Sequence, residues 1–162
     1  MLCNNGLLKK SDYSRINWGK NPEKIDFEIL YINRFKVLKK AYNNFDLSNA
    51  EYVNFCNSNA FWLDDFALYM ALKNAFDGKP WNEWQTELKV RKTDAISKAN
   101  VELKDEIEFQ KFIQYLFFTQ WFNLKEYANN NGIKIIGDIP IYVAADSADV
   151  WANPKQFLLD KD

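Results

Sequence analysis

The sequence of 162 residues contains no histidine, and this absence excludes several kinds of chemistry. Without an imidazole, the chain cannot supply a histidine-dependent catalytic triad, a histidine general base or a histidine-ligated metal site. It also has neither a glycine-rich phosphate loop nor a cysteine spacing typical of metal sites. We therefore expect no cofactor and no metal, and any chemistry must use carboxylates, tyrosine or lysine.

Cysteine, excess charge and long apolar runs are also scarce. Only two cysteines occur, Cys3 and Cys56, which fits free thiols in a reducing cytoplasm better than a disulfide framework. The net charge of −1 gives no basic excess to neutralise phosphates, so we expect no nucleic-acid partner. The most apolar run, from Phe112 to Phe122, is too short and too polar to span a bilayer. The first residues do not resemble a signal peptide. These features predict a cytoplasmic protein without a membrane partner.

Apolar residues make up 48% of the chain and aromatic residues 17%, and most of them are spaced three to four apart. This spacing is typical of helices. It predicts helices at about 27–45, from Ser48 onward, at about 59–76 and at about 101–130, after a loop-rich lead-in. The last and longest helix is apolar around most of its circumference, which predicts burial on more than one side.

One segment near the C-terminal end has a different pattern. The β-branched residues of Ile133 to Ile141 follow the turn at Gly132 and predict a short strand. A lone strand cannot pair its own backbone groups, and each buried unpaired group costs about 1–3 kcal/mol. A partner must come from the lead-in, from a second chain or from a larger protein. The helix-then-strand order favours the larger protein, because it looks like one step of an α/β barrel.

The predicted fold class is therefore mainly α with one short β-strand at about 133–141. Residues 1–100 form a helical region, and residues 101–162 contain the long helix, the strand and the start of the following loop. We expect no independent second domain. Asp138 stands within the apolar strand segment, where an unpaired carboxylate is costly. Because the C-terminal ends of barrel strands build active sites, Asp138 either contacts substrate or caps nearby backbone N–H groups.

The segments GDIPIYVA (residues 137–144) and DSADVWANP (residues 146–154) closely resemble a motif of the 4-alpha-glucanotransferases, the amylomaltases or disproportionating enzymes of maltodextrin metabolism. Four upstream segments are similar to family segments too: residues 5–8, 62–73, 80–84 and 106–121. The resemblance covers nearly the whole chain. It implies a fragment of a (β/α)₈ TIM-barrel enzyme, made of insertion helices and one barrel strand.

The resemblance also implies the reaction and its substrate. Family members cut a maltodextrin or starch-type α-1,4-glucan and pass the glycosyl unit to another sugar by a retaining double displacement. Retention needs a nucleophilic carboxylate and an acid/base carboxylate about 5–5.5 Å apart. The resemblance places both carboxylates beyond the position equivalent to Asp162. It also places the first barrel strands before Met1. It therefore implies a middle piece with no catalytic residue, which alone is inactive.

Four residues of this chain are candidates for supporting roles. The resemblance places Asp138 at the edge of the donor-sugar subsite, as a direct or indirect contact to a sugar hydroxyl. Trp151 either stacks on a sugar ring, since a flat aromatic face suits the sugar's axial C–H face, or packs in the core. Asp146 and Asp149 are weaker candidates, because they are also typical of a helix start.

Two other interpretations remain open. In the first, the chain is a stand-alone helical interaction module. In the second, it is a glucan-binding module without turnover. As an interaction module it would use exposed apolar faces to bind a partner or a second copy of itself. Most aromatic residues stand at helical spacing and favour core packing over sugar binding, with Trp81 and Trp84, on a predicted turn, as the stronger exceptions.

Overall fold

The computed structural model describes residues 1–21 and 23–159, so the end of the predicted region 101–162 lies outside the described residues. The chain divides into two compact units, Met1–Ala50 and a second unit that begins at Glu51. The α-helices of the described residues are α1 (Phe27–Asn43), α2 (Ala50–Ala75), α3 (Thr86–Lys89), α4 (Thr93–Glu102), α5 (Lys104–Asn130) and α6 (Ala148–Ala152). Within this part of the chain, no helix is long and apolar enough to cross a membrane.

The first unit is built around α1. The carboxylate of Asp26 accepts a hydrogen bond of 3.1 Å from the backbone N–H of Ile29, which caps one of the free donors at the helix start. Near the other end of α1, Lys40 forms an ion pair of 2.6 Å with Asp12. The side-chain amide of Asn44 donates a hydrogen bond of 2.9 Å to the carbonyl of Leu7. These contacts hold the irregular N-terminal segment against the helix.

Helix α2 is continuous where the sequence pattern predicts two helices. No glycine or proline interrupts residues 50–75, and the side chain of Asn59 donates to the carbonyl of Phe55 in the preceding turn. The polar residues between the two predicted helices therefore stay within one helix. It ends before Gly78, whose φ of 78° is the left-handed conformation that terminates many helices.

The core of the second unit lies between α2, α5 and the short elements that connect them. Leu63, Ala67 and Phe112 are fully buried. Aromatic rings extend the contact along the two long helices, with Tyr52 beside Tyr115 at a centroid separation of 5.5 Å. Burial of this kind contributes about 25 cal/mol for each Å² of apolar surface and is the main force that holds the helices together.

The strand predicted at about 133–141 is wrong. Residues 133–140 have no regular secondary structure, and no strand occurs anywhere in residues 1–21 and 23–159. A strand needs a neighbour to pair its backbone groups, and this part of the chain offers none. High β-propensity describes side chains that fit a half-buried sheet surface, yet Ile136, Ile139 and Ile141 are each more than 80% exposed. The fold of the described residues is helical, without the predicted strand.

The prediction that the long helix is buried on more than one side holds only for the N-terminal half of α5. Ile107, Phe109 and Phe112 are buried there. In the C-terminal half, Phe117 and Tyr127 are each more than half exposed. An apolar surface therefore remains uncovered on α5, next to the exposed segment that follows it.

Candidate functional site

We call residues 131–147, which connect α5 to α6, the motif segment. It leaves α5 through a fixed turn. Gly132 has a φ of 75° and donates its N–H to the carbonyl of Asn129 at 2.9 Å. The N–H of Ile133 donates to the carbonyl of Ala128, also at 2.9 Å. These bonds satisfy carbonyls that the last turn of the helix leaves free. The N-terminal end of the motif segment is thereby held on the helix.

The C-terminal end of the segment is held by Asp146. Its carboxylate accepts hydrogen bonds from the Tyr69 hydroxyl at 2.6 Å, from the ammonium group of Lys73, and from the backbone N–H of Trp81 at 3.2 Å. The indole N–H of Trp81 donates to the carbonyl of Ala145 at 2.7 Å. We call the group of Tyr69, Lys73, Trp81 and Asp146 the Asp146 anchor. Hydrogen bonds to a charged acceptor are stronger than neutral ones, so the anchor fixes this end firmly.

The anchor also sets the protonation state of its members. Partial burial raises the pKa of the Asp146 carboxyl, but the hydrogen bonds from Lys73, Tyr69 and Trp81 outweigh it and hold the pKa below its ordinary value. Burial, followed by the hydrogen bond to Asp146, raises the pKa of the Tyr69 hydroxyl. At neutral pH the carboxylate is therefore charged and the phenol protonated. Asp146 is engaged in holding the chain in place.

Asp138 lies on the exposed part of the motif segment. One of its carboxylate oxygens accepts a hydrogen bond of 2.8 Å from the backbone N–H of Ile139. This contact matches the capping alternative of the sequence prediction. It uses one of several lone pairs, so the carboxylate keeps acceptor capacity toward solvent. The geometry is therefore compatible with both the capping role and the sugar contact.

Trp151 is only 1% exposed. Its indole N–H donates to the carbonyl of Leu88 at 3.0 Å, and its ring lies 5.8 Å from Tyr69 and 5.6 Å from Trp84, measured between centroids. The guanidinium of Arg91 covers the ring at 4.2 Å. This environment favours core packing. Stacking on a sugar requires the ring to be uncovered and stays a prediction.

Arg91 connects the helix that carries Trp151 to α2. Its Nη2 atom donates to a carboxylate oxygen of Asp65 at 2.5 Å, while its carbon Cζ stands over Trp151. Its backbone φ of 52° lies in the left-handed region, which is costly for a residue with a side chain. The Nη1 atom is buried without a hydrogen-bond partner among the described residues. The contacts with Asp65 and Trp151 must offset the backbone strain and the unpaired Nη1 atom, so they hold Arg91 in place.

Asp149 lies one turn from the Asp146 anchor and is exposed on α6. It lines a hollow of about 160 Å³ together with Phe61 and Trp62.

Of the two aromatic residues predicted as exceptions to packing, Trp84 is 5% exposed and Trp81 is half-buried. Trp84 lies in the core, whereas Trp81 belongs to the anchor.

Sequence reasoning did not find Tyr69, Lys73 or Arg91. Tyr69 and Lys73 are four residues apart on a helix, which places both side chains on one face. A tyrosine hydroxyl and an ammonium group on one helix face are close enough to share an acceptor, but nothing in the sequence distinguishes such a pair from other helical residues. The identity of the acceptor, Asp146, which is 73 residues from Lys73 in the sequence, depends on tertiary packing.

Among the described residues, no group of three or more acidic or cysteine side chains is placed to hold a metal ion.

Comparisons with known proteins give a consistent result. The family model described as 4-alpha-glucanotransferase matches residues 1–162. The chain is 48% identical to the 4-alpha-glucanotransferase of Clostridium butyricum over 163 residues, covering all of this chain and 34% of that protein. It is 43% identical to the 4-alpha-glucanotransferase of Thermus thermophilus over 161 residues, covering 96% of this chain and 32% of that protein.

Among solved structures, the amylomaltase from Streptococcus agalactiae in complex with acarbose is similar to the chain, with a TM-score of 0.93 and 40% sequence identity. The match covers 99% of this chain and 33% of that one. The chain thus spans about a third of the length of the curated relatives it matches.

Proposed function

The chain belongs to the 4-alpha-glucanotransferase family, and we propose that it contributes to an enzyme that transfers α-1,4-glucan segments between maltodextrins. The observation that carries the proposal is the family match over residues 1–162, together with a backbone similar to an amylomaltase at a TM-score of 0.93. A backbone so similar at 40% identity supports a shared role for the matching third. Maltodextrin or a starch-type glucan is the proposed partner.

The proposed chemistry is a retaining double displacement. It requires a nucleophile and an acid/base, both carboxylates, about 5–5.5 Å apart. We propose that neither is in this chain and that the chain alone does not turn over glucan. For Asp146 itself, the hydrogen bonds from three donors support this, because a carboxylate held in this way is unsuited to attack on a sugar.

Asp138 is the residue we propose for substrate contact. It stands on an exposed segment whose two ends are held, by the turn at Gly132 and by the Asp146 anchor. Fixed ends lower the entropy lost when the segment orders around a ligand. A carboxylate there accepts hydrogen bonds from sugar hydroxyl groups and helps to orient the ring. The anchor residues act through the segment, so we propose them as positioning residues.

A chimera tests this function. The chain replaces the matching third of the Clostridium butyricum relative, with which it shares 48% of its residues. Incubation with maltotriose, followed by chromatography of glucose and longer maltodextrins, should give transfer products from the chimera and none above background from the isolated chain. A folded chimera without transfer would contradict the contribution of this chain. Turnover by the isolated chain would contradict the proposed location of the catalytic carboxylates.

We also propose the cytoplasm as the place where the protein works. Cys3 and Cys56 are both free thiols, which supports a reducing compartment.

A second candidate function is self-association, favoured by the uncovered apolar surface. Ile136, Ile141 and Tyr142 are each more than 85% exposed, and Tyr127 of α5 is 69% exposed. Exposed apolar side chains that lie close to one another in the sequence favour contact between copies of the chain. Light scattering should then report a mass above that of one chain, decreasing on dilution. A single-chain mass at all concentrations would remove this candidate.

A further inference from the structure

We propose that the hollow between α2 and α6 binds one glucose unit of an α-glucan, as a site separate from Asp138. The choice of sugar rests on the proposed function, whereas the location and shape of the site come from the second unit alone. The hollow has a volume of about 160 Å³. Pockets for drug-sized ligands are about 300–1,000 Å³, so this hollow suits a single ring with its chain continuing into solvent.

Aromatic side chains form the apolar wall of the hollow. Phe61, Trp62 and Phe66 line it from α2. Phe61 is 84% exposed, and the indole N–H of Trp62 already donates to Asn59 at 3.1 Å. The Trp62 ring therefore contributes its apolar surface to the hollow and has little need of a new hydrogen-bond partner. A flat apolar surface of this kind matches the C–H face of a pyranose ring.

The opposite wall carries polar groups from α6 and the residue after it. Asp149 and Asn153 line the hollow, and neither side chain has a hydrogen-bond partner among the described residues. A carboxylate only accepts hydrogen bonds, whereas an amide both donates and accepts. Together they match the hydroxyl groups of a sugar, each of which is a donor and an acceptor.

The charge in the hollow disfavours an anionic ligand. Asp65 also lines it, but its carboxylate is paired with Arg91 at 2.5 Å. That leaves Asp149 as the one lining carboxylate without a described cationic partner. A single carboxylate is too few for a calcium site, which takes six to eight oxygen ligands.

The walls of the hollow are held before any ligand arrives. Ser147 caps α6 by accepting a hydrogen bond of 3.3 Å from the N–H of Val150. Val150 and Trp151 are at most 2% exposed, so the inner face of α6 is fixed in the core. Asp149 is thereby presented on the outer face. None of the lining residues belongs to the segment 133–144 that carries Asp138.

Isothermal titration of the chain with maltoheptaose tests the site. We expect Phe61→Ala and Asp149→Ala each to weaken binding at least about fivefold, about 1 kcal/mol by the relation between affinity and free energy. Asp94→Asn, at an exposed position of α4, is the matched control and should leave this affinity unchanged. Asp138→Asn is titrated alongside it, to separate binding in the hollow from the contact proposed on the motif segment. Phe61 is 84% exposed, so its replacement should not disturb folding, and circular dichroism of each variant checks this.

Several outcomes would overturn the proposal. Binding that survives both hollow variants but is lost in Asp138→Asn would place the contact on the motif segment. No binding by the folded wild-type chain would remove the site. Titration with tetramethylammonium chloride, if it binds through Phe61 and Asp149 while maltoheptaose does not, would show a cation site. A chimera that transfers glucan while the isolated chain binds none would keep the proposed function and remove only this site.

Discussion

The hydroxyl of Tyr69 donates a hydrogen bond of 2.6 Å to the carboxylate of Asp146, a residue 77 positions later in the chain. Tyr69 is buried at 4% exposure in the middle of α2. Asp146 ends the exposed motif segment. This bond therefore connects the helical core directly to the segment that carries Asp138, and the other contacts of the anchor reinforce it.

Replacing Tyr69 by phenylalanine should destabilise the chain. The ring stays in its aromatic cluster while Asp146 loses one donor, and a hydrogen bond to a charged group contributes about 1.5–3 kcal/mol. Urea unfolding should show a loss of roughly 1–3 kcal/mol in the free energy of unfolding. Tyr127→Phe, at an exposed position, is the control and should change it by less than about 0.5 kcal/mol. Equal effects of the two variants would mean that the anchor bond contributes nothing.

Stability should depend on pH through Asp146. The folded state holds the pKa of this carboxyl below its ordinary value of about 3.9, so the folded chain binds the proton less readily than the unfolded chain. The stabilisation is present above pH of about 4 and is lost as the pH falls through the folded pKa. Urea unfolding between pH 6 and pH 2, as rough limits, should show a shallower acid loss for Asp146→Asn than for the wild type. Parallel curves would contradict the role of Asp146.

Trp151→Ala should be among the most damaging single changes. The indole is 1% exposed and hydrogen-bonded to Leu88, and such truncations cost about 3–5 kcal/mol. Phe61→Ala removes a ring that is 84% exposed and should cost less than about 0.5 kcal/mol. Thermal unfolding compares the two. A small effect of Trp151→Ala would indicate a ring that is free for a ligand instead.

Protease cleavage should begin in the motif segment. Tyr142 is 89% exposed in a stretch without regular structure, whereas Tyr52 is 3% exposed within α2. Exposed irregular backbone is the preferred target of proteases. Brief chymotrypsin treatment, followed by mass spectrometry, should detect a cut after Tyr142 before any cut after Tyr52. First cleavage inside α2 would contradict the described core.

The helices were accessible to sequence reasoning because their apolar spacing repeats over many residues. The start of α1 and the end of α5 agree with the predicted bounds, and local signals mark both, since Asp26 caps α1 and Gly132 follows α5. The strand prediction failed for a physical reason. Isoleucine-rich segments such as Ile133 to Ile141 form strands only when a neighbour pairs with them, and pairing is a tertiary property. The described residues supply no such neighbour.

The site could be predicted only in part. Sequence reasoning found the motif segment and its acids, Asp138, Asp146 and Asp149, because the segment resembles a family motif and an unpaired carboxylate within an apolar stretch is costly. It could not find that Asp146 meets Tyr69 and Lys73, since those residues look like ordinary members of a helix. The environment of Trp151 could not be predicted either. The sequence does not show whether an aromatic side chain packs in a core or contacts a sugar.

The most direct test of the proposed glucan contact is the activity of the chimera carrying Asp138→Asn. We expect kcat/KM for maltotriose to fall at least about tenfold, equivalent to about 1.4 kcal/mol of lost transition-state stabilisation. Asp94→Asn, at an exposed position of α4, is the control and should leave kcat/KM unchanged. If Asp138→Asn instead matches the control while the chimera remains folded and active, Asp138 does not contact the glucan and the account of this segment is wrong.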